Sequence, residues 1–277
     1  MLCSTLSRFQ GGIWGLLIPQ HLSQLPEERN LVNFLAILQA KTLIESGNLD
    51  SIESKVTKNL TTSQLALANL PLILLFHDSP QLLKEKLTET VDKLNKPTET
   101  LKELLIWGKA IALGMRGKLE PQQLSEALLQ ENSQTILEQQ IELIASYLKQ
   151  DYSLTQVIYQ LSRRRQPEQT PIALALYCFL FTPTDLASGI TRAYYGGYQA
   201  EITSALTGVL GGVYNGYQSV PLKLRLGTSP SIANQLYTAW CGATPIVSGI
   251  LLTQAIAISG SLQKRSQLQI ISQVDSP

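Results

Sequence analysis

Apolar positions along this chain recur at intervals of three and four, the signature of helices that bury one face. Leu31, Phe34, Leu35, Leu38 and Leu43 repeat at spacings of three, four and five until Gly47, a helix stop signal. Start signals recur as well. Ser79-Pro80 precedes a helical run from Gln81 to Leu94, and Pro97-Thr98 precedes Leu101 to Leu113. Glu120-Pro121 precedes Leu124 to Leu129, and Pro183-Thr184-Asp185 opens a helix at Leu186. In each, proline stands in or just before a first turn, where its missing N–H leaves no bond unmade. No segment alternates with period two, so the pattern predicts an all-α fold of many helices joined by short connections.

Ser162 to Thr170 is polar, contains Pro167 and reads as a loop. Apolar helices on both sides of it need partners, which favours one domain over residues 1–266, followed by a polar tail over 267–277. From Leu226 to Gln263 no residue is charged, and Ala243 to Leu262 is long enough to raise a membrane span. Pro245, Gly249, Gln254, Ser259 and Gly260 dilute that stretch, so a buried core helix is the preferred reading and membrane association is not expected.

Composition narrows the function classes. Of 277 residues, 44% are hydrophobic and 16% charged, which leaves Gln, Ser, Thr and Asn to finish the surface. A net charge of +1 and pI near 7.7 give no reason to expect nucleic acid as a partner. The charge is uneven. From Leu186 to Val274 the lone acidic residue is Glu201, against Arg192, Lys223, Arg225, Lys264 and Arg265. Cys3, Cys178 and Cys241 lie far apart in no metal-ligand spacing. That suits a reducing compartment, with Cys178 and Cys241 as core thiols. The apolar stretch Gly11 to Ile18 is too short for a signal peptide, so a cytoplasmic protein is expected.

The most informative segment runs from Pro171 to Leu226. Gly196-Gly197 predicts a turn whose amides can face a ligand at the start of the next helix. That helix carries Ala205, Gly208, Gly212 and Gly216 at intervals of three and four. Its bare stripe lets a neighbour approach closely, which is ordinarily a packing feature.

This arrangement resembles the ADP-ribosylglycohydrolase family, including the enzymes that remove ADP-ribose from modified dinitrogenase reductase. There, a Gly-Gly-Asp-Thr-Asp-Thr run precedes a helix of the same small-residue type, and the aspartates help hold a pair of divalent ions against the ribose. At the matching positions this chain has Tyr198 and Ala200, with Gln199 and Glu201 in place of the threonines. Arg8 to Leu16 is similar to the family's opening helix, which normally continues into Gly-Asp-Ala-Leu-Gly; here Pro19-Gln20-His21-Leu22 follows. The family's early Thr-Asp-Asp-Thr run has no counterpart between Leu22 and Gly47. Asn69-Leu70-Pro71-Leu72 resembles the segment before a Thr-His motif whose histidine is missing near Asn95-Lys96-Pro97. The resemblance therefore implies the family scaffold without the ligands for its two Mg²⁺ or Mn²⁺ ions, and no cofactor is expected.

The chemistry of the residues agrees. Two hard divalent ions need several carboxylate oxygens in one cleft, and Glu201 alone cannot supply the C-terminal half's share. Glu201 reads more simply as a first-turn acid favoured by the helix dipole. His77-Asp78-Ser79 cannot adopt triad geometry from adjacent positions and reads as a polar helix end; His21 reads as a solvated loop residue. Arg163 to Arg165 reads as a solvated run, and Trp14, Trp107 and Trp240 as core. The expectation is a catalytically degenerate protein acting by binding. Its vestigial cleft, at Gly196, Gly197, Tyr198, Gln199 and Glu201, would take an ADP-ribose-like ligand or be filled, leaving a scaffold for a protein partner. The alternatives are a hydrolase with unorthodox ligands and a membrane-associated helical scaffold.

Overall fold

In the computed structural model, residues 3–23, 31–46, 59–129, 135–163, 167–225 and 231–242 are described. Among them every regular element is helical. The first half holds α1 (Thr5–Ser23), α2 (Leu31–Ser46), α3 (Thr62–Ala68), α4 (Leu70–Leu75), α5 (Pro80–Lys93), α6 (Thr98–Met115) and α7 (Leu124–Leu128). The second holds α8 (Ile136–Lys149), α9 (Leu154–Ser162), α10 (Thr170–Phe181), α11 (Leu186–Tyr195), α12 (Ala200–Asn215), α13 (Leu222–Arg225) and α14 (Ser231–Trp240). The expected starts hold: Pro80 and Thr98 open α5 and α6, a short 3₁₀ turn from Pro121 leads into α7, and the Asp185 carboxylate caps α11 by accepting from the Ser188 amide at 3.0 Å.

The centre of the fold is the seam between α1 and α12. A Cβ added to Gly15 would collide with the Gly208 carbonyl, and one added to Gly11 with the Gly212 carbonyl; the reverse substitutions meet the same backbones. The small-residue stripe of α12 therefore meets a second stripe on α1, and the two backbones touch. At the end of the seam Gly216, at φ +74°, lies against Cys3 and Ser7. Trp14, Trp107, Tyr177, Phe9 and Phe179 are the largest fully buried side chains of the described core.

Arg8 closes the seam. Its side chain is 8% exposed, and its guanidinium donates to Gly114 O at 2.5 Å, Val213 O at 3.2 Å and Tyr214 O at 3.4 Å. One buried cation thus satisfies carbonyls in the last turns of both α6 and α12, where helix dipoles place negative charge.

Three sequence expectations need correcting. α1 continues through Pro19 to Ser23, so the backbone at His21 is helical rather than a loop. His77 does stand at a polar helix end, its Nδ1 donating to Leu74 O at 2.6 Å just past α4, and it is buried there, 3% exposed, with its ring against those of Phe9 and Trp240. Trp240 is half-buried rather than core, with Nε1 donating to Asp78 Oδ2 at 3.1 Å, and Cys241, expected as a core thiol, is half-buried beyond the end of α14. Trp14, Trp107 and Cys178 are core as expected. The apolar stretch 243–262 and the tail 267–277 lie outside the described residues. Among the described residues, no helix is long and apolar enough to cross a membrane.

Candidate functional site

The Gly196-Gly197 turn forms where expected, between α11 and α12. Gly197 has φ +80°, and Gln199 takes a left-handed conformation, φ 41° and ψ 52°, as the residue before α12. Side chains other than glycine rarely adopt that region, so the turn holds Gln199 against a local preference. The anchor is visible: Gln199 Nε2 donates to Pro167 O at 2.9 Å.

The turn's amides, expected to face a ligand, are engaged within it. Gly196 N–H donates to Arg192 O at 3.0 Å, and Gly197 N–H to Tyr194 O at 3.2 Å, closing the C-terminus of α11. Tyr198 is half-buried against the core, and its carbonyl accepts from Thr203 Oγ1 at 2.8 Å. Ala200 offers only a methyl group. Glu201 sits in the first turn of α12, half-buried, in the position where the helix dipole favours an acid.

The start of a second helix belongs to the same place. Thr61 caps α3 through a reciprocal box: its hydroxyl accepts from Gln64 N–H at 3.3 Å, and its own N–H donates to Gln64 Oε1 at 2.9 Å. The next residues, Thr62 and Ser63, are buried. Ser63 N–H donates to Glu168 O at 3.1 Å, and its hydroxyl donates to the same carbonyl. So the starts of α3 and α12 both grip the turn Pro167–Gln169, one through Ser63 and the other through Gln199. Reading the sequence between Leu22 and Gly47 missed this segment. The signal that finds it is the Thr61-x-x-Gln64 capping box in front of the apolar run Leu65 to Leu67.

Behind the turn lies a buried polar cluster. Gln169 Nε2 donates to Glu103 Oε2 at 3.2 Å, and Gln140 Nε2 to Thr170 Oγ1 at 3.1 Å. Glu138 Oε2 accepts from Thr135 N–H at 2.8 Å, a capping box that opens α8. Glu103 has no exposed surface, and burial pushes its carboxyl from 4.5 up to about 7. Glu99 on the same helix raises it further, while the bonds from Gln169, the Leu137 backbone and Thr62 oppose the rise. Near neutrality this carboxyl is therefore substantially protonated. Its sequence signal is an acid on the face of α6 that also carries Leu104, Trp107 and Ile111.

Of the sequence-predicted residues, Gly196, Gly197, Tyr198, Gln199 and Glu201 do stand together at one turn. Gly196 lies against Leu154 and Ile158, and Gln199 leads to the 167–169 turn, which Ser63 grips and behind which Gln169 binds Glu103. Among the described residues, no group of three or more His, Cys, Asp or Glu side chains is placed to hold a metal ion.

No curated protein and no solved structure matches this chain. A family model described as ADP-ribosylglycohydrolase matches residues 34–245, from the first turn of α2 through α14. Together with the helical architecture and the glycine-striped α12, that match shows that the chain belongs to the ADP-ribosylglycohydrolase family.

Proposed function

We propose that this ADP-ribosylglycohydrolase-like protein is a pseudoenzyme that acts as a binding scaffold for a protein partner. The observation that carries the reading is the donor set at the start of α12: a phenol at Tyr198, a methyl at Ala200, and Glu201 as the one carboxylate. Thr61, Thr62 and Ser63 add hydroxyls from α3, and Glu103 adds a carboxyl that holds its proton near neutrality. A pair of Mg²⁺ or Mn²⁺ ions requires several ionised oxygens in one cleft, and these residues do not fit that demand.

Filling of the site favours a scaffold over an ADP-ribose receptor. Gln199 and Ser63 are committed to the 167–169 turn, Gln169 to Glu103, and the glycine amides to α11. Three free cysteines, of which Cys178 is buried with its thiol pushed up to about 12, support placement in a reducing cytoplasm.

The test is release of free ADP-ribose from arginine-, serine- and acetyl-linked substrates at saturating Mg²⁺ or Mn²⁺, beside a Glu201→Gln control. No release from either protein is the expected result. Metal-dependent turnover that disappears in the control makes Glu201 a ligand and overturns the proposal. A ligand-dependent rise in Tm with ADP-ribose alone, without turnover, replaces the scaffold by a receptor.

A further inference from the structure

A groove of about 860 Å³ opens at the other end of α12 from the site, and nothing in the family chemistry accounts for it. Tyr214 lies 16 residues beyond Tyr198, roughly 24 Å along the helix at 1.5 Å per residue. Three helices end at this groove. Leu148 and Lys149 come from the last turn of α8, Leu180 and Phe181 from the last turn of α10, and Tyr214 from the last turn of α12. The C-termini of α8 and α10 turn the negative ends of their dipoles to this groove, while that of α12 already holds Arg8 and the turn from Pro121 brings a helix start to the rim. The rim then adds Glu120, Glu126 and Asp151, all exposed, against Lys149 in the lining and Arg192 stacked on Phe181.

Two features of the molecule show what chemistry this end accepts. Just inside it, the guanidinium of Arg8 is held by carbonyls in the last turns of α6 and α12. Phe181, 45% exposed, already carries the Arg192 guanidinium over its ring, 3.8 Å from the centroid. Leu148, Leu180 and Tyr214 supply the apolar wall that the methylene stem of a long cationic side chain covers while its head stays at the carboxylates.

We infer that this groove docks a basic segment of a partner protein, with an arginine side chain laid along the Leu148–Phe181 wall and its guanidinium among Glu120, Glu126 and Asp151. The inference names the surface and the partner's charge for the scaffold reading on which it rests. Its test is independent of ADP-ribose turnover, so either can fail alone.

The probe is a fluorescein-labelled tetra-arginine peptide titrated into the full chain and followed by anisotropy, with a citrulline peptide of equal length as the uncharged match. Saturable binding of the arginine peptide alone is expected. It weakens tenfold or more in the triple variant Glu120→Gln, Glu126→Gln, Asp151→Asn, and two- to fivefold in Phe181→Ala. Asparagine suits position 151 because Asp151 sits at φ 54°, where Asn is tolerated, and the other changes are on the surface. A control variant on α5, Glu85→Gln with Glu89→Gln, leaves binding unchanged. Equal loss in that control means attraction to net charge alone and overturns the inference, as does no saturation with the arginine peptide. Competition by spermine at the affinity of the peptide reassigns the groove to a small organic cation and also overturns it.

Discussion

The middle of α12 and its N-terminal turn lie a few residues apart and obey opposite rules. Along the seam, Gly208 and Gly212 meet Gly15 and Gly11 backbone to backbone, with no room for one added carbon. At the turn, an added Cβ at Gly197 would meet nothing within 4 Å, and the side chains present are a phenol, an amide and a methyl where ligation calls for carboxylates. The seam fixes shape and leaves no room for a side chain; the turn leaves open space beside Gly197 and holds Gln199 by one hydrogen bond. On the proposed reading, the frame is kept and the reagents for the family's reaction are not.

The largest test of this contrast is Gly212→Leu. Its side chain would enter the Gly11 backbone, which cannot rotate away as a side chain does. Destabilisation beyond roughly 3 kcal/mol, or failure to recover soluble protein, is expected, above the usual overpacking cost. Denaturant midpoints that stay within experimental error of the parent would remove the seam from the centre of the fold. Arg8→Met comes next. It leaves the Gly114 and Val213 carbonyls without their buried donor, at a cost of roughly 2–3 kcal/mol. Arg8→Lys, which keeps the charge but loses the planar fork, falls between.

Glu103→Gln moves stability the other way. The carboxyl titrates near 7 when folded against 4.5 as a reference, so the unfolded chain releases its proton first. Stability contributed by this group is thus intact below about pH 4.5, falls as pH rises toward 7, and is level above. Removing the charge should stabilise the protein by roughly 1–3 kcal/mol at pH 8 and flatten the slope between pH 5 and 7. Parallel pH profiles for the two proteins would contradict a protonated, buried Glu103. The smallest expected effect is at the turn: Tyr198→Asp with Ala200→Asp should give no ADP-ribose release. Saturating Mg²⁺ should shift its Tm by less than about 2 °C, since α3 still offers hydroxyls alone.

The all-α architecture and the helix starts at Pro80, Thr98, Pro121 and Asp185 were legible in the sequence because they rest on local rules of spacing and capping. So was the close approach at Gly208, Gly212 and Gly216, although its partner on α1 depends on pairing across the chain. The five residues of the turn were identified together, but the state of the glycine amides was not. Whether an N–H faces a ligand or closes the preceding helix depends on a turn geometry that Gly-Gly leaves open. Burial of His77 escaped for a similar reason: Phe9 and Trp240 cover it from α1 and α14, far along the sequence. Glu103 and Gln169 are 66 residues apart, and no local pattern announces their bond.

The pairing of α1 with α12 also sets an order of events during synthesis. Arg8 meets the Gly114 carbonyl 106 residues downstream, but that of Val213 comes only after 205. At roughly 5–20 residues per second, translation needs about 10–40 s to deliver it. Throughout that interval the nascent chain displays an apolar helix with a glycine groove and no mate. Docking of α1 against α12 must therefore wait until most of the chain has been made.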